Sequence, residues 1–412
     1  MINENLKKVI NQIKKYQNYL IETQKNLTAI PALAPESKGD GEAEKAKYIE
    51  TLVDQLNYDS MEKINAPDKR VTSGYRPNLM VKFKGKSDQK TIWIMSHMDV
   101  VPPGDVSKWE TDPYKVIEKD GKLYGCGTED NQQALVSALM ALKAMHTLNI
   151  LPEYTVGLAI VADEENGSKY GIQYVLNEKS NLFQKNDLIL IPDAGDPEGV
   201  EIEVAEKSIL WIKCIIKGRQ THASTPEKGV NAHKASAYLI VKMNQLYDIF
   251  NKKDQLYNPP LSTFEPTKKE NNVPNINTIP GEDIVYFDCR ILPSYSLDTI
   301  KKQVNKFKKE IEKKFKVTID VSFPQYIEAP PPTPVDVPIV KAVKKAVKDI
   351  QGKNAKPIGI GGGTVAAYFR KVGLPAVCWS NLDDTLHSPN EYCKIENAIN
   401  DACVFAHIFM QK

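Results

Sequence analysis

Apolar residues recur every third or fourth position at the start of the chain: Leu6, Val9, Ile10, Ile13, Tyr16, Leu20 and Ile21. That spacing predicts an amphipathic helix over 4–29, ended by Ile30-Pro31. The pattern returns over 42–57. Then the period changes. Residues 78–84 and 91–97 read as strands, and 154–162 (Tyr-Thr-Val-Gly-Leu-Ala-Ile-Val-Ala) as a strand buried on both faces. Between them, 130–148 is rich in Ala, Leu and Met and predicts a helix that begins near Asp130. A helix over 171–177 and a strand over 187–192 follow. Such alternation is the pattern of an α/β layer fold.

The character shifts near residue 207. The order becomes strand (209–217), helix (231–250), two strands (276–279 and 284–292), a lysine-rich helix (296–314) and a strand (316–323). That order predicts a small α+β unit of ferredoxin-like type. Pro-rich 324–335 forms a stiff exit. The first pattern then resumes with a helix at 337–350, Gly361, Gly362 and Gly363 opening a helix, a strand at 375–380, and a final helix. The expected organisation is an α/β domain, with a central mixed sheet between helices, in two parts (1–206 and 324–412). An inserted α+β domain (207–323) lies between them.

Composition narrows the class. The 412 residues are 42% hydrophobic and 26% charged, ordinary for a globular protein. A net charge of +2 gives no electrostatic reason to expect nucleic acid or a membrane surface. No apolar run approaches the ~20 residues of a membrane helix, and the first residues lack a signal-peptide core, so the expected location is the cytosol. Six scattered cysteines without a Cys-x-x-Cys pair argue against a thiolate zinc site or a disulfide framework. Only five residues are arginine (70, 76, 219, 290 and 370), so each invites inspection.

Candidate chemistry sits where the strands stop. Ile92-Trp-Ile-Met-Ser-His97-Met-Asp99 ends in an imidazole and a carboxylate two residues apart, on one side of an extended chain. Alone, this pair reads first as a satisfied His beside a turn-capping Asp. Yet Glu164-Glu165 follows the strand 154–162, Asp193 follows the strand 187–192, His387 lies in a loop, and Asp130 opens a helix. His, Asp and Glu without Cys suit zinc or a related divalent ion. A two-metal site asks for one carboxylate between the ions, terminal ligands on each, and a free carboxylate to take a proton from water.

The chain resembles a family of co-catalytic zinc hydrolases. It includes acetylornithine deacetylase, succinyl-diaminopimelate desuccinylase, aminoacylase, carnosinase-like dipeptidases and glutamate carboxypeptidases. The resemblance runs nearly end to end and is carried by Ser96-His97-Met-Asp99-Val-Val-Pro, Gly125-Cys-Gly127-Thr-Glu-Asp130 and Asp163-Glu164-Glu165-Asn-Gly-Ser168. Pro192-Asp193-Ala-Gly195, His222-Ala-Ser-x-Pro226-x-x-Gly229-Val-Asn231-Ala and His387-Ser-Pro-Asn390-Glu391 complete it.

The resemblance implies roles. Asp130 bridges two metals. His97 and Asp193 complete one site, Glu165 and His387 the other. Asp99 orients His97, and Glu164 is the general base. The inserted domain is the family's lid and carries a homodimer contact. From it, His222 stabilises the oxyanion with help from Asn277. Arg290 holds the substrate carboxylate, and the backbone of Gly361, Gly362 and Gly363 offers N–H groups to the same carboxylate. Lid closure brings His222 and Arg290 to the site, so turnover requires domain motion. His146 and His407 read as structural, and His233 carries no assigned role.

The implied activity is hydrolysis of the amide bond of a short peptide or N-acyl amino acid with a free carboxylate, by metal-bound water and Glu164. The cofactors are two divalent ions: zinc, with cobalt or manganese as alternatives. Cys126, Thr128-Glu129 and Asn131-Gln132-Gln133 depart from the family's usual Arg, small residues and Met-Lys-Gly. These departures weaken a desuccinylase or deacetylase assignment without removing a ligand. Succinyl-diaminopimelate desuccinylase or acetylornithine deacetylase is the alternative within the class. Outside it stands a non-catalytic relative that binds metal or amino acid.

Overall fold

The strand Ser87–His97 explains much of the architecture. Its second half is buried on both faces. Trp93 and Met95 face one side, where the Trp93 ring packs 4.8 Å from Phe183, itself 5.0 Å from Phe369 in an edge-on contact. Ile92 and Ile94 face the other side, against the helix Gln133–Thr147. The neighbouring strand carries Gly157 opposite Trp93, and a Cβ there would sit 2.3 Å from the indole. The glycine makes room for the ring.

A computed structural model describes residues 3–412. It divides the chain into two compact units. The first comprises residues 1–204, 333–357 and 364–412; the second comprises 205–332 and 358–363. An eight-stranded mixed sheet runs in the order Ser60–Lys63, Leu79–Phe83, Tyr154–Val161, Ser87–His97, Leu188–Ile191, Ala376–Cys378, Glu201–Glu206, Lys356–Ile360. Ser87–His97 pairs in parallel with Tyr154–Val161 on one side and Leu188–Ile191 on the other, and Ala376–Cys378 runs parallel to Leu188–Ile191. The helix Gln133–Thr147 is apolar nearly all round and lies buried between the sheet and the helices Glu4–Ile13 and Ile395–Phe409.

In the second unit the sheet order is Thr263–Lys269, Glu282–Ile291, Ser208–Lys217, Thr318–Ile327, all antiparallel. Helices Ala232–Met243 and Leu297–Phe315 cover its buried face, where Ile212, Phe287 and Phe307 meet. Among the described residues, no helix is long and apolar enough to cross a membrane.

Several elements differ from their expected form. The opening helix is two, Glu4–Ile13 and Gln17–Thr28. After Ile13 the backbone tightens, with Lys15 N–H bonding Gln12 and Tyr16 N–H bonding Ile13, and the helix restarts. The helix of 231–250 is likewise Ala232–Met243 followed by Gln245–Ile249. The second unit's outer strand is Thr263–Lys269, not 276–279. Its single buried residue, Phe264, and its Pro266 make it look like loop, which an edge strand tolerates. The 276–279 segment instead forms a two-residue ladder with Thr221 and His222.

A candidate two-metal centre

Three parallel strands end together, and their loops deliver the site. His97 closes Ser87–His97, Glu164 and Glu165 begin the turn after Tyr154–Val161, and Asp193 follows Leu188–Ile191. Ligands of open α/β sheets gather at such carboxyl ends. Asp130 arrives from the wide turn Thr128–Gln132, where its backbone (φ −112°, ψ 93°) leaves the helical region. The expected helix therefore begins only at Gln133.

All five expected ligands converge. Asp130 lies between the two histidines: its Oδ1 is 2.9 Å from His97 Nε2 and its Oδ2 is 3.1 Å from His387 Nε2. Asp193 Oδ1 is 3.4 Å from His97 Nε2, and Glu165 Oε2 is 3.0 Å from His387 Nε2. The site is graded in exposure. The His97 side chain is 1% exposed, Asp130 and Asp193 13%, and His387 47%, so it opens to solvent at the His387 end.

The donor set fits divalent ions. His97, Asp130 and Glu165 can each place one ligand atom within 4.8 Å of the others, as can His97, Glu164 and Asp193. A tetrahedral ion with bonds of about 2.0–2.1 Å needs donors about 3.3 Å apart, close to the spacings above. Glu165 Oε1 is buried without a hydrogen-bond partner, an acceptor left for a cation. Nδ1 of His97 faces the Asp99 backbone carbonyl at 3.0 Å, which can only accept. Nδ1 therefore carries the proton, and the Nε2 lone pair faces the acids.

Electrostatics follow from crowded acids. Hydrogen bonds that His387 donates to Asp130 and Glu165 push it up to about 10. Burial, then the Asp193 carboxylate, raises Glu164 well above the carboxylate range. Among the described residues the Glu164 carboxylate has no side-chain hydrogen bond, and Asp99 holds its backbone N–H.

Asp99 lies against His97 and makes further bonds of its own. Its carboxylate stands 3.5 Å from His97 Nδ1, farther than its own carbonyl. Its two oxygens also accept the backbone N–H groups of Glu164 (3.0 Å) and Glu165 (3.1 Å). One carboxylate thereby fixes the loop that presents both glutamates.

The remaining candidates lie in the second unit. His222 is exposed and pairs through its short strand with the segment holding Asn277, whose carbonyl accepts Ala223 N–H at 2.8 Å. Ser224 N–H donates to His222 Nδ1 at 3.2 Å, so a neutral ring carries its proton on Nε2 and offers it as a donor. Arg290 is engaged: Nε and one terminal nitrogen donate to Asp288 at 2.6 and 3.0 Å, and the other donates to Gly361 O at 2.9 Å. Arg290 and Gly361 are thus brought together. Gly362 and Gly363 border open space, where a Cβ would meet nothing. The other histidines take bland positions. His407 is buried on Asp349, His233 lies beside Asp283, and His146 is exposed.

Sequence reasoning missed the residues that hold the ligands. Buried Glu391 accepts N–H groups of Gly127 (2.9 Å), Glu129 (3.0 Å) and Asp130 (3.1 Å), and burial lifts it to about 8. Gly127 supplies the left-handed turn (φ +83°) that points these groups at one carboxylate. Buried Arg76 pairs with Glu42, which also accepts Asp163 N–H ahead of Glu164. The scarcity of arginine was the one signal for this pair.

Comparisons with known proteins identify the family. The model of "Peptidase family M20/M25/M40" matches residues 93–411. The chain is 42% identical to an uncharacterised metallohydrolase of Methanocaldococcus jannaschii over 402 residues, covering 94% of this chain and 98% of the relative. It is 28% identical to a succinyl-diaminopimelate desuccinylase of Rickettsia bellii over 378 residues, covering 90% and 91%. Among solved structures, human carnosine dipeptidase 1 superposes with a TM-score of 0.72 at 20% identity over 99% of this chain and 98% of that one. Aminopeptidase PepT of Bacillus cereus gives 0.73 at 23% identity over 95% and 98%.

Proposed function

The chain belongs to peptidase family M20/M25/M40 and is a hydrolytic enzyme, and on that premise we propose that it cleaves the amide bond of short peptides or N-acyl amino acids with a free carboxylate, using two divalent ions. The observation that carries the reading is the placement of His97 and His387 on opposite oxygens of Asp130, with the Glu164 carboxylate unpartnered beside them.

His97, Asp130 and Asp193 would hold one ion, and Asp130, Glu165 and His387 the other. Zinc suits the mixed nitrogen and oxygen donors best, with cobalt or manganese as substitutes. When bound, such ions polarise the scissile carbonyl and acidify water. Glu164 takes the proton from the attacking water and later delivers it to the leaving amine. Asp99 keeps Glu164 and Glu165 in place through their backbone. In the second unit, His222 Nε2–H is the donor for an oxyanion. Arg290 spends three of its five N–H groups on Asp288 and Gly361, which leaves two for a substrate carboxylate. The same unit would carry a homodimer contact.

Glu164→Ala tests the assignment. It should keep about two metals by elemental analysis and lose hydrolysis of a mixed panel of dipeptides and N-acyl amino acids. Near-normal turnover would remove Glu164 from its role. Absence of any chelator-sensitive hydrolysis in the native protein would leave a binding relative instead. The 28% identity to a desuccinylase supports a second reading, cleavage of N-succinyl-diaminopimelate, which belongs in the same panel.

A further inference from the structure

Two residues flanking Asp130 have no part in the roles above. Glu129 turns away from the metal centre. Its Oε1 accepts Asp383 N–H at 2.6 Å, and its Oε2 accepts Thr385 N–H at 2.6 Å and the Thr385 hydroxyl at 2.8 Å. Those residues are the stem of the loop that carries His387. Asn131 turns the other way. Its Nδ2 donates to Asp193 Oδ1 at 2.6 Å and to Pro192 O at 2.9 Å. Glu129 and Asn131 are each 2% exposed, so both sets of contacts are shielded from water.

Three consecutive residues therefore address three ligand loops. Asp130 faces both histidines, Glu129 anchors the His387 loop, and Asn131 anchors the Asp193 loop. The His387 loop needs such an anchor. His387 itself holds a left-handed backbone (φ +56°) and is half exposed, so few contacts of its own side chain fix it. Asp193 needs a different service. A carboxylate has two oxygens, and the Asn131 amide on Oδ1 fixes its rotation beside His97.

We propose that Glu129 and Asn131 are positioning residues that tune the two metal sites separately, Glu129 governing the Glu165/His387 site and Asn131 the His97/Asp193 site. This rests on the two-metal reading above. The division is spatial: no contact of Glu129 reaches Asp193 or His97 among the described residues, and none of Asn131 reaches His387 or Glu165.

The test reads metal release rather than turnover. The native protein, Glu129→Gln and Asn131→Met are loaded with cobalt(II), and loss of each ion to a chelator is followed by visible absorbance and elemental analysis. Glutamine keeps the volume of Glu129 but supplies one acceptor oxygen for three donors. Methionine is unbranched and flexible, so it can fill the space of Asn131 while removing the amide donor. Each variant should release one ion about 10–100-fold faster than the native protein, the range expected when a ligand's hydrogen-bonded support is removed. The other ion should leave at the native rate. A His387→Ala background identifies which ion is which: there, Glu129→Gln should have no further effect, and Asn131→Met should retain its own. Should either variant loosen both ions alike, or neither, the separate-tuning proposal fails. If the native protein takes up no cobalt at all, the two-metal reading fails first. Unfolding midpoints of the metal-free proteins distinguish a positioning role from general destabilisation: they should coincide within a few degrees.

Discussion

Replacing Asp99 with asparagine isolates what one carboxylate does for the catalytic loop. In the native protein each oxygen accepts one backbone N–H, from Glu164 at 3.0 Å and from Glu165 at 3.1 Å. Asparagine keeps one oxygen and puts an NH2 against the other N–H. A buried hydrogen bond to a charged group contributes about 1.5–3 kcal/mol, so one such contribution is lost. The surviving bond falls from charge-assisted to neutral and weakens by about half. Together these amount to about 2–4 kcal/mol. If that loss is expressed in the placement of Glu164 at the transition state, kcat falls roughly 30- to 1000-fold. Metal binding should suffer less, because the His97 ring is held by the Asp99 carbonyl, which the substitution leaves intact. The assay is kcat on the best substrate of the panel at saturating metal, with metal content measured after gel filtration. Activity within threefold of native at full metal content would refute the reasoning, as would metal loss in step with activity.

Arg290→Ala should raise KM for carboxylate-bearing substrates by about ten- to a hundredfold, with a smaller change in kcat, since a charge-assisted pair is lost on binding; equal KM for acids and their amides in the native enzyme would contradict the clamp. Burial raises Asp401 to about 7 from an unfolded value near 3.8. A raised carboxyl contributes stability that is complete below the unfolded value and is lost as pH climbs toward the folded one, here between about pH 4 and 7, to a limit of about 4 kcal/mol. Denaturant titrations should show the native protein losing stability relative to Asp401→Asn across that window; parallel curves would exclude it.

Three of the candidate ligands were legible because each follows an apolar strand: His97 beside Asp99, Glu165 beside Glu164, and Asp193 after Leu188–Ile191. Their supports were not. Glu391 bonds Asp130 N–H across 261 positions, and Glu129 bonds Asp383 across 254, so each looks in sequence like an ordinary acid. A second part of Asp99 was hidden for the same reason. Its proximity to His97 is visible in the sequence, whereas its bonds to residues 65 and 66 positions away are not. The Thr263–Lys269 strand was hidden because edge strands need little apolar pattern.

The connection order of the site has a consequence for synthesis. His97, Asp130, Glu164, Glu165 and Asp193 emerge from the ribosome long before His387 and the Glu391 carboxylate that gathers the Asp130 turn. The final helix, Ile395–Phe409, must also dock on Glu4–Ile13, at the opposite end of the chain. Such long-range closure slows folding. A nascent chain stalled before residue 387 would hold its early acids without their last histidine and without their clasp. Removing residues 387–412 should leave a chain unable to complete either its sheet cover or the proposed ligand set.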